Sequence, residues 1–284
     1  MMKKFFCFVF LLLFSVSPVF GGIENDADPG ERVGLFSNFG GNAKRSFTGG
    51  NAWLQAAGVA ATALLIVTDA DYQVHDYFRN HRAAGRKFHP VVATGSVLTP
   101  LTGGVCYLSG AAARDPELQG LGSAVLQAQV LTSLTVGVLK GLTGRPHPDP
   151  DTGADMRKLS RTFRFGFLRG GLFWGWPSGH TASTMALVST LTAYYPDNAW
   201  LKIGGAALMG YTVVGVSAVG GGHMHWFSDA VAAVFMTYAI GHTVGSYYHD
   251  RIFHAGTAPA EPGKIGISAE PLSTLPIVRI TVTF

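Results

Sequence analysis

Cysteine and charge are both scarce in this chain. Its only cysteines are Cys7, inside an apolar N-terminal run, and Cys106 in a second apolar stretch, so a chain cleaved after that run could form no internal disulfide. Charged residues amount to 13% against 48% hydrophobic ones, with a mean hydropathy of +0.26. That is too little charge to coat an ordinary soluble globule of this size, and it points to a membrane. The 21 Lys and Arg are scattered among Gly, Phe and His, so no basic stripe argues for nucleic acid. Cysteine or carboxylate clusters that would hold a metal are also missing. There is no internal repeat.

What is present divides the chain into four parts. Residues 1–21 read Met1-Met2-Lys3-Lys4, then apolar Phe5 to Phe14, then small residues before Gly21-Gly22. That is the order of a secretory signal peptide, with an uncleaved anchor helix as the alternative. Residues 22–51 are rich in Gly, Asn and Asp, which favours a loop-like linker. Between 52 and 250, apolar segments recur at about 52–68, 89–112, 120–139, 178–196, 202–220 and 228–247, each near the length needed to cross a bilayer. The predicted fold is all-α, a six-helix bundle. Its many Gly, Ala, Ser and Thr suit close packing in lipid, and would also suit buried helices of a soluble bundle. Asp71 to Arg79 mixes aromatic and charged positions as a short surface helix would, with a packing role. In the tail, 251–284, the alternating runs Lys264–Ala269 and Pro276–Phe284 predict a short β-hairpin.

Three polar clusters stand at helix ends: Lys140 to Pro148, Trp176 to Thr181, and His223 to Asp229. Successive antiparallel helices alternate direction, so all three can meet on one face. Pro177 ahead of Ser178-Gly179-His180 suits a helix start capped by Ser178, whose free N–H groups make either an ordinary cap or an anion site. His225 and Asp229 are spaced i, i+4. If the last helix begins a turn early, the carboxylate can hold one imidazole nitrogen and free the other for nucleophilic attack. A structural pair, or a metal site shared with His223, would use the same residues. Lys140 and Arg145 follow the third helix and could neutralise a bound phosphoryl group.

In order and spacing these clusters resemble the signature of the type-2 phosphatidic acid phosphatase and vanadium haloperoxidase superfamily: K-x6-R-P, P-S-G-H and S-R-x5-H-x3-D. The resemblance covers about residues 52–247. Pro177-Ser178-Gly179-His180 matches in full, and His225 to Asp229 supplies the H-x3-D half of the third motif. Two arginines of the pattern are absent: His147-Pro148 stands where R-P belongs, and Ala218-Val219 where S-R belongs. Arg145 keeps one guanidinium in the first cluster, and His147 offers a charge only when protonated.

The resemblance implies a bacterial membrane or exported phosphatase without metal or other cofactor. His225 would attack phosphorus, Asp229 orient its ring, and His180 serve as acid and then base; Lys140, Arg145, Ser178, Gly179 and His147 would hold the phosphoryl oxygens. Membrane-spanning helices would place the site at headgroup depth, with a phospholipid or isoprenoid phosphate as substrate: phosphatidate, phosphatidylglycerol phosphate or undecaprenyl diphosphate. Two alternatives remain open, a catalytically impaired phosphate-lipid-binding membrane protein and a periplasmic nonspecific acid phosphatase. The implied location is the cell envelope, either an inner membrane with an exported N-terminus or the periplasm. Counting crossings from an exported N-terminus puts the site on the cytoplasmic side, whereas the resemblance implies the periplasmic side.

Overall fold

The computed structural model describes residues 34–148, 153–169 and 175–254, together with the backbone of two strands, Ile265–Leu272 (β1) and Leu275–Val282 (β2). The signal-peptide reading of residues 1–21 lies outside the described residues. Ten helices occur among them. They are α1 (Phe39–Phe47), α2 (Gly50–Val67), α3 (Ala70–Asn80), α4 (Arg82–Arg86), α5 (Pro90–Ala113), α6 (Pro116–Thr143), α7 (Met156–Ser160), α8 (Gly179–Tyr194), α9 (Ala199–Gly222) and α10 (Phe227–Phe253). The long helices α2, α5, α6, α8, α9 and α10 overlie the six apolar segments. Four shorter helices join them, so the described count exceeds six. β1 runs antiparallel to β2, with Ile265 opposite Val282 and Leu272 opposite Leu275.

α8 and α10 form the axis of the bundle. Every side chain from Thr181 to Thr190 is buried, because α8 meets neighbours on all sides. Small residues allow this: a Cβ on Gly245 would lie 2.6 Å from the Thr190 carbonyl oxygen. α6 closes the core with Leu121, Ala124, Val125 and Ala128 against Leu187, Ile240, Val244 and Tyr248.

The outer helices have the opposite character. α2, α5, α6 and α9 are long and apolar enough to cross a membrane, and they expose Leu64, Val97, Leu101, Val105, Leu108, Leu134 and Ile203. Apolar side chains turned outward on such helices mark the protein as membrane-associated. Trp53 and Trp200, 79% and 81% exposed, occupy the first turns of α2 and α9, which start at the same end of the bundle. Trp is favoured where a bilayer meets water.

The Gly- and Asn-rich stretch read as loop contains α1. Its Asn42 Nδ2 donates to Gln127 Oε1 at 2.6 Å, while Phe39 and Ala43 enter the main core. Tertiary burial here overrides the poor intrinsic helix propensity of Gly and Asn.

Candidate active site

The three polar clusters converge at the end of the bundle where α6 and α9 finish and α8 and α10 begin. Ser178 caps α8, its Oγ accepting from the Thr181 N–H at 3.4 Å and from the Thr181 hydroxyl at 3.1 Å. The Ser178 N–H donates to the Asp229 carbonyl at 3.0 Å, so the second and third clusters are joined through the main chain. Lys140, 5% exposed, donates from Nζ to the Gly175 carbonyl at 3.1 Å, and its Cε lies 3.9 Å from where a Gly179 Cβ would stand. Its ammonium is thereby delivered to the first turn of α8, a helix start whose N–H groups favour an anion.

His225 precedes α10 rather than riding on an early turn of it, since the helix starts at Phe227. The pairing with Asp229 forms all the same: Oδ2 accepts the Trp226 backbone N–H at 3.1 Å and lies 3.4 Å from His225 Nδ1. A carboxylate can only accept, so Nδ1 carries the proton and Nε2 keeps its lone pair. The His180 and His225 rings stand edge to face with centroids 6.3 Å apart. Burial pushes the His225 pKa down to about 4; Asp229 opposes this, and Lys140 and His180 reinforce it. The imidazole is therefore neutral across the physiological range.

All three clusters lie inside residues 121–253, which match the family model described as the PAP2 superfamily. This stretch belongs to the PAP2 superfamily. Neither a comparison with curated proteins nor one with solved structures gave a match. Membership supports a phosphatase-type activity on a phosphorylated substrate.

Against the PAP2 pattern, Arg145 is placed differently from the phosphate-binding position its spacing suggested. It is wholly buried, and its two Nη atoms are taken up by four acceptors: Asp229 Oδ1 at 2.5 Å, Ser228 Oγ at 2.7 Å, Asp71 Oδ2 at 2.6 Å and the Ser160 carbonyl at 2.6 Å. Phe163 and Trp226 stand against the guanidinium, centroids 5.0 and 5.9 Å away. Two carboxylates neutralise it, so it works as a strut under Asp229. His147 is half-buried in the segment after α6.

At the other departure, Val219 packs with Val91, Val216 and Ala230 in an apolar cluster. The chain breaks from helix there, and Gly220, Gly221 and Gly222 follow with φ of 70°, 81° and 86°, a left-handed run open to glycine alone at little cost. Arg82 of α4 lies beside this run, with its Cγ 3.4 Å and Nε 3.7 Å from where a Gly221 Cβ would lie. One residue not singled out from the sequence comes from α3: Asp71, a buried carboxylate within a stretch read as mere packing. No local signal in the sequence separates Asp71 from a surface carboxylate, since an Asp is ordinarily exposed. Gly95, in the π-helical turn Thr94–Leu98 of α5, lets α5 approach His180: a Cβ there would fall 2.5 Å from the His180 Cβ.

Proposed function

We propose that the protein hydrolyses a phosphate monoester or diphosphate of a membrane lipid through a phosphohistidine. The observation that carries this reading is the convergence of a neutral, carboxylate-held His225 with His180 and Lys140 at the N-terminus of α8. His225 Nε2 attacks phosphorus in line, and the bond to the leaving oxygen breaks as that oxygen takes a proton from His180. Asp229 holds the ring and balances the positive charge that develops on it. Water then attacks the phosphohistidine and gives a proton to His180, and the P–N bond breaks to release phosphate. Lys140, the Ser178 hydroxyl and the N–H groups beginning at Gly179 hold the phosphoryl oxygens, with His147 adding charge when protonated. Arg145 supports the carboxylate side instead.

Outward-facing apolar helices support a site near headgroup depth. That favours phosphatidate, phosphatidylglycerol phosphate or an undecaprenyl diphosphate type of substrate, and a place in a bacterial cell envelope. Purified protein should release phosphate from these lipids in micelles faster than from p-nitrophenyl phosphate, and His225→Ala should abolish the release. Preference for the soluble ester would favour a nonspecific acid phosphatase. The second reading, a lipid-phosphate-binding protein without turnover, draws on the burial of Val219 where the PAP2 pattern has an arginine. It requires wild type and His225→Ala to be equally inactive while both bind lipid phosphate.

A further inference from the structure

Asp71 lies in α3, fifty residues before the family-matched stretch begins at 121 and outside all three motifs. Yet it is 1% exposed and touches the start of α10 directly. Its Oδ1 accepts the Ser228 backbone N–H at 2.7 Å, and its Oδ2 accepts the Ser228 hydroxyl at 2.6 Å and Arg145 Nη2 at 2.6 Å. We propose that Asp71 is a positioning residue for the reaction, holding Asp229, and through it the nucleophile His225, by way of Arg145 and Ser228. This inference rests on the phosphatase reading above.

Two routes lead from Asp71 to His225. The first is the main chain: Ser228 is the second residue of α10, and a helix start has N–H groups without partners inside the helix. A carboxylate from α3 takes one of them, so the α10 terminus is pinned one residue before Asp229. The second runs through Arg145, whose guanidinium is held between Asp71 and Asp229. Arg145 occupies Asp229 Oδ1, which leaves Oδ2 for the Trp226 N–H and His225 Nδ1. Each oxygen of Asp229 thus has a separate assignment, and the ring is aimed by the one left over.

Stability alone does not account for this network. Buried ion pairs contribute little net stability compared with apolar residues of the same volume, because desolvation offsets their attraction. What they do supply is a fixed geometry. A nucleophile displaced by about 1 Å loses on the order of a hundredfold in rate, so fixing Asp229 at both oxygens bears directly on turnover.

The test uses the full chain in detergent micelles with dioctanoyl phosphatidate as substrate and inorganic phosphate as product inhibitor. Asp71→Asn keeps the shape and removes the charge; it should lower kcat about 10–100-fold while KM and the phosphate inhibition constant stay at wild-type values. Asp71→Glu, which restores the carboxylate, should recover part of the loss. Nitrogen-15 NMR of labelled histidines should show His225 protonated on Nδ1 in the wild type and a tautomer mixture in Asp71→Asn. Where Asp71→Asn does not fold, Ser228→Ala, which removes the two hydroxyl contacts to Asp71 and Arg145 without stranding a charge, should give the same pattern in weaker form. Wild-type kcat with an unchanged His225 tautomer in a folded variant overturns the proposal, as does a rise in KM and inhibition constant with kcat retained. Absence of turnover in the wild type overturns the phosphatase reading alone, since the tautomer measurement needs no turnover.

Discussion

Arg145 Nη1 lies 2.5 Å from Asp229 Oδ1, both side chains wholly excluded from solvent. The pair commits an arginine of the first cluster to Asp229, the partner of His225. It also explains how α10 can begin with a buried carboxylate: Asp229 is bonded at both oxygens, and its charge is matched within hydrogen-bond distance. Lys140 of the same cluster is held instead at the start of α8, by the Gly175 carbonyl.

Arg145→Ala should therefore behave as a stability mutation first. Removing one partner of a buried ion pair leaves an uncompensated charge and costs about 3–5 kcal/mol; here two carboxylates, Asp71 and Asp229, lose their partner at once. Thermal unfolding in detergent should show a large fall in midpoint. A stable variant whose only defect is a raised KM would return Arg145 to a substrate-binding role.

The pH dependence follows from His225. Its pKa is lowered from the ordinary 6.5 to about 4, burial being the main cause, so the neutral nucleophile persists well into acid. The acid limb of kcat/KM should lie near pH 4 to 5 rather than at 6.5. Stability should move with the same sign. The unfolded chain takes up the proton near 6.5 and the folded chain only near 4, so the contribution is complete above 6.5 and is lost as pH falls through that window. Rate and unfolding profiles between pH 4 and 8 test both.

Gly95→Ala probes the contact between α5 and the second cluster. The new methyl would fall 2.5 Å from the His180 Cβ and 2.8 Å from its Cα, so α5 or His180 must move. Overpacking of this kind costs about 1–3 kcal/mol. A fall in kcat larger than the loss of stability explains, measured on the fraction still folded, is the expected result; wild-type turnover would show that His180 does not depend on α5.

On the periphery, Asp69 holds both Arg157 and Arg161, which ties the start of α3 to α7. These hydrogen bonds lower the Asp69 pKa to about 2, so the tie is complete above the ordinary carboxylate value near 3.8 and disappears as pH falls towards 2. Exposed pairs are screened by salt and contribute little to global stability. Asp69→Asn should leave the unfolding midpoint unchanged and speed limited proteolysis within 153–169.

Much of this is legible in the sequence. The Pro177-Ser178-Gly179-His180 start of α8 appeared as a cap followed by a helix because Pro and Ser favour those positions locally. The i, i+4 spacing of His225 and Asp229 announced their pairing, although the helix begins later than the spacing assumed. α1 stayed hidden in its Gly- and Asn-rich setting because the groups that stabilise it, Gln127 and the core around Tyr248, are remote in sequence.

The sequence by itself determined the all-helical, membrane-associated class, the family of the 121–253 stretch and the residues of its three polar clusters, because hydropathy, helix caps and motif spacing act over short distances along the chain. Only the tertiary structure decided how the charges are shared. Asp71, Arg145 and Asp229 are separated by 74 and 84 positions, and whether Arg145 meets a carboxylate or a phosphoryl group depends on which carboxylates the packing of α3 and α10 brings within 3 Å of it.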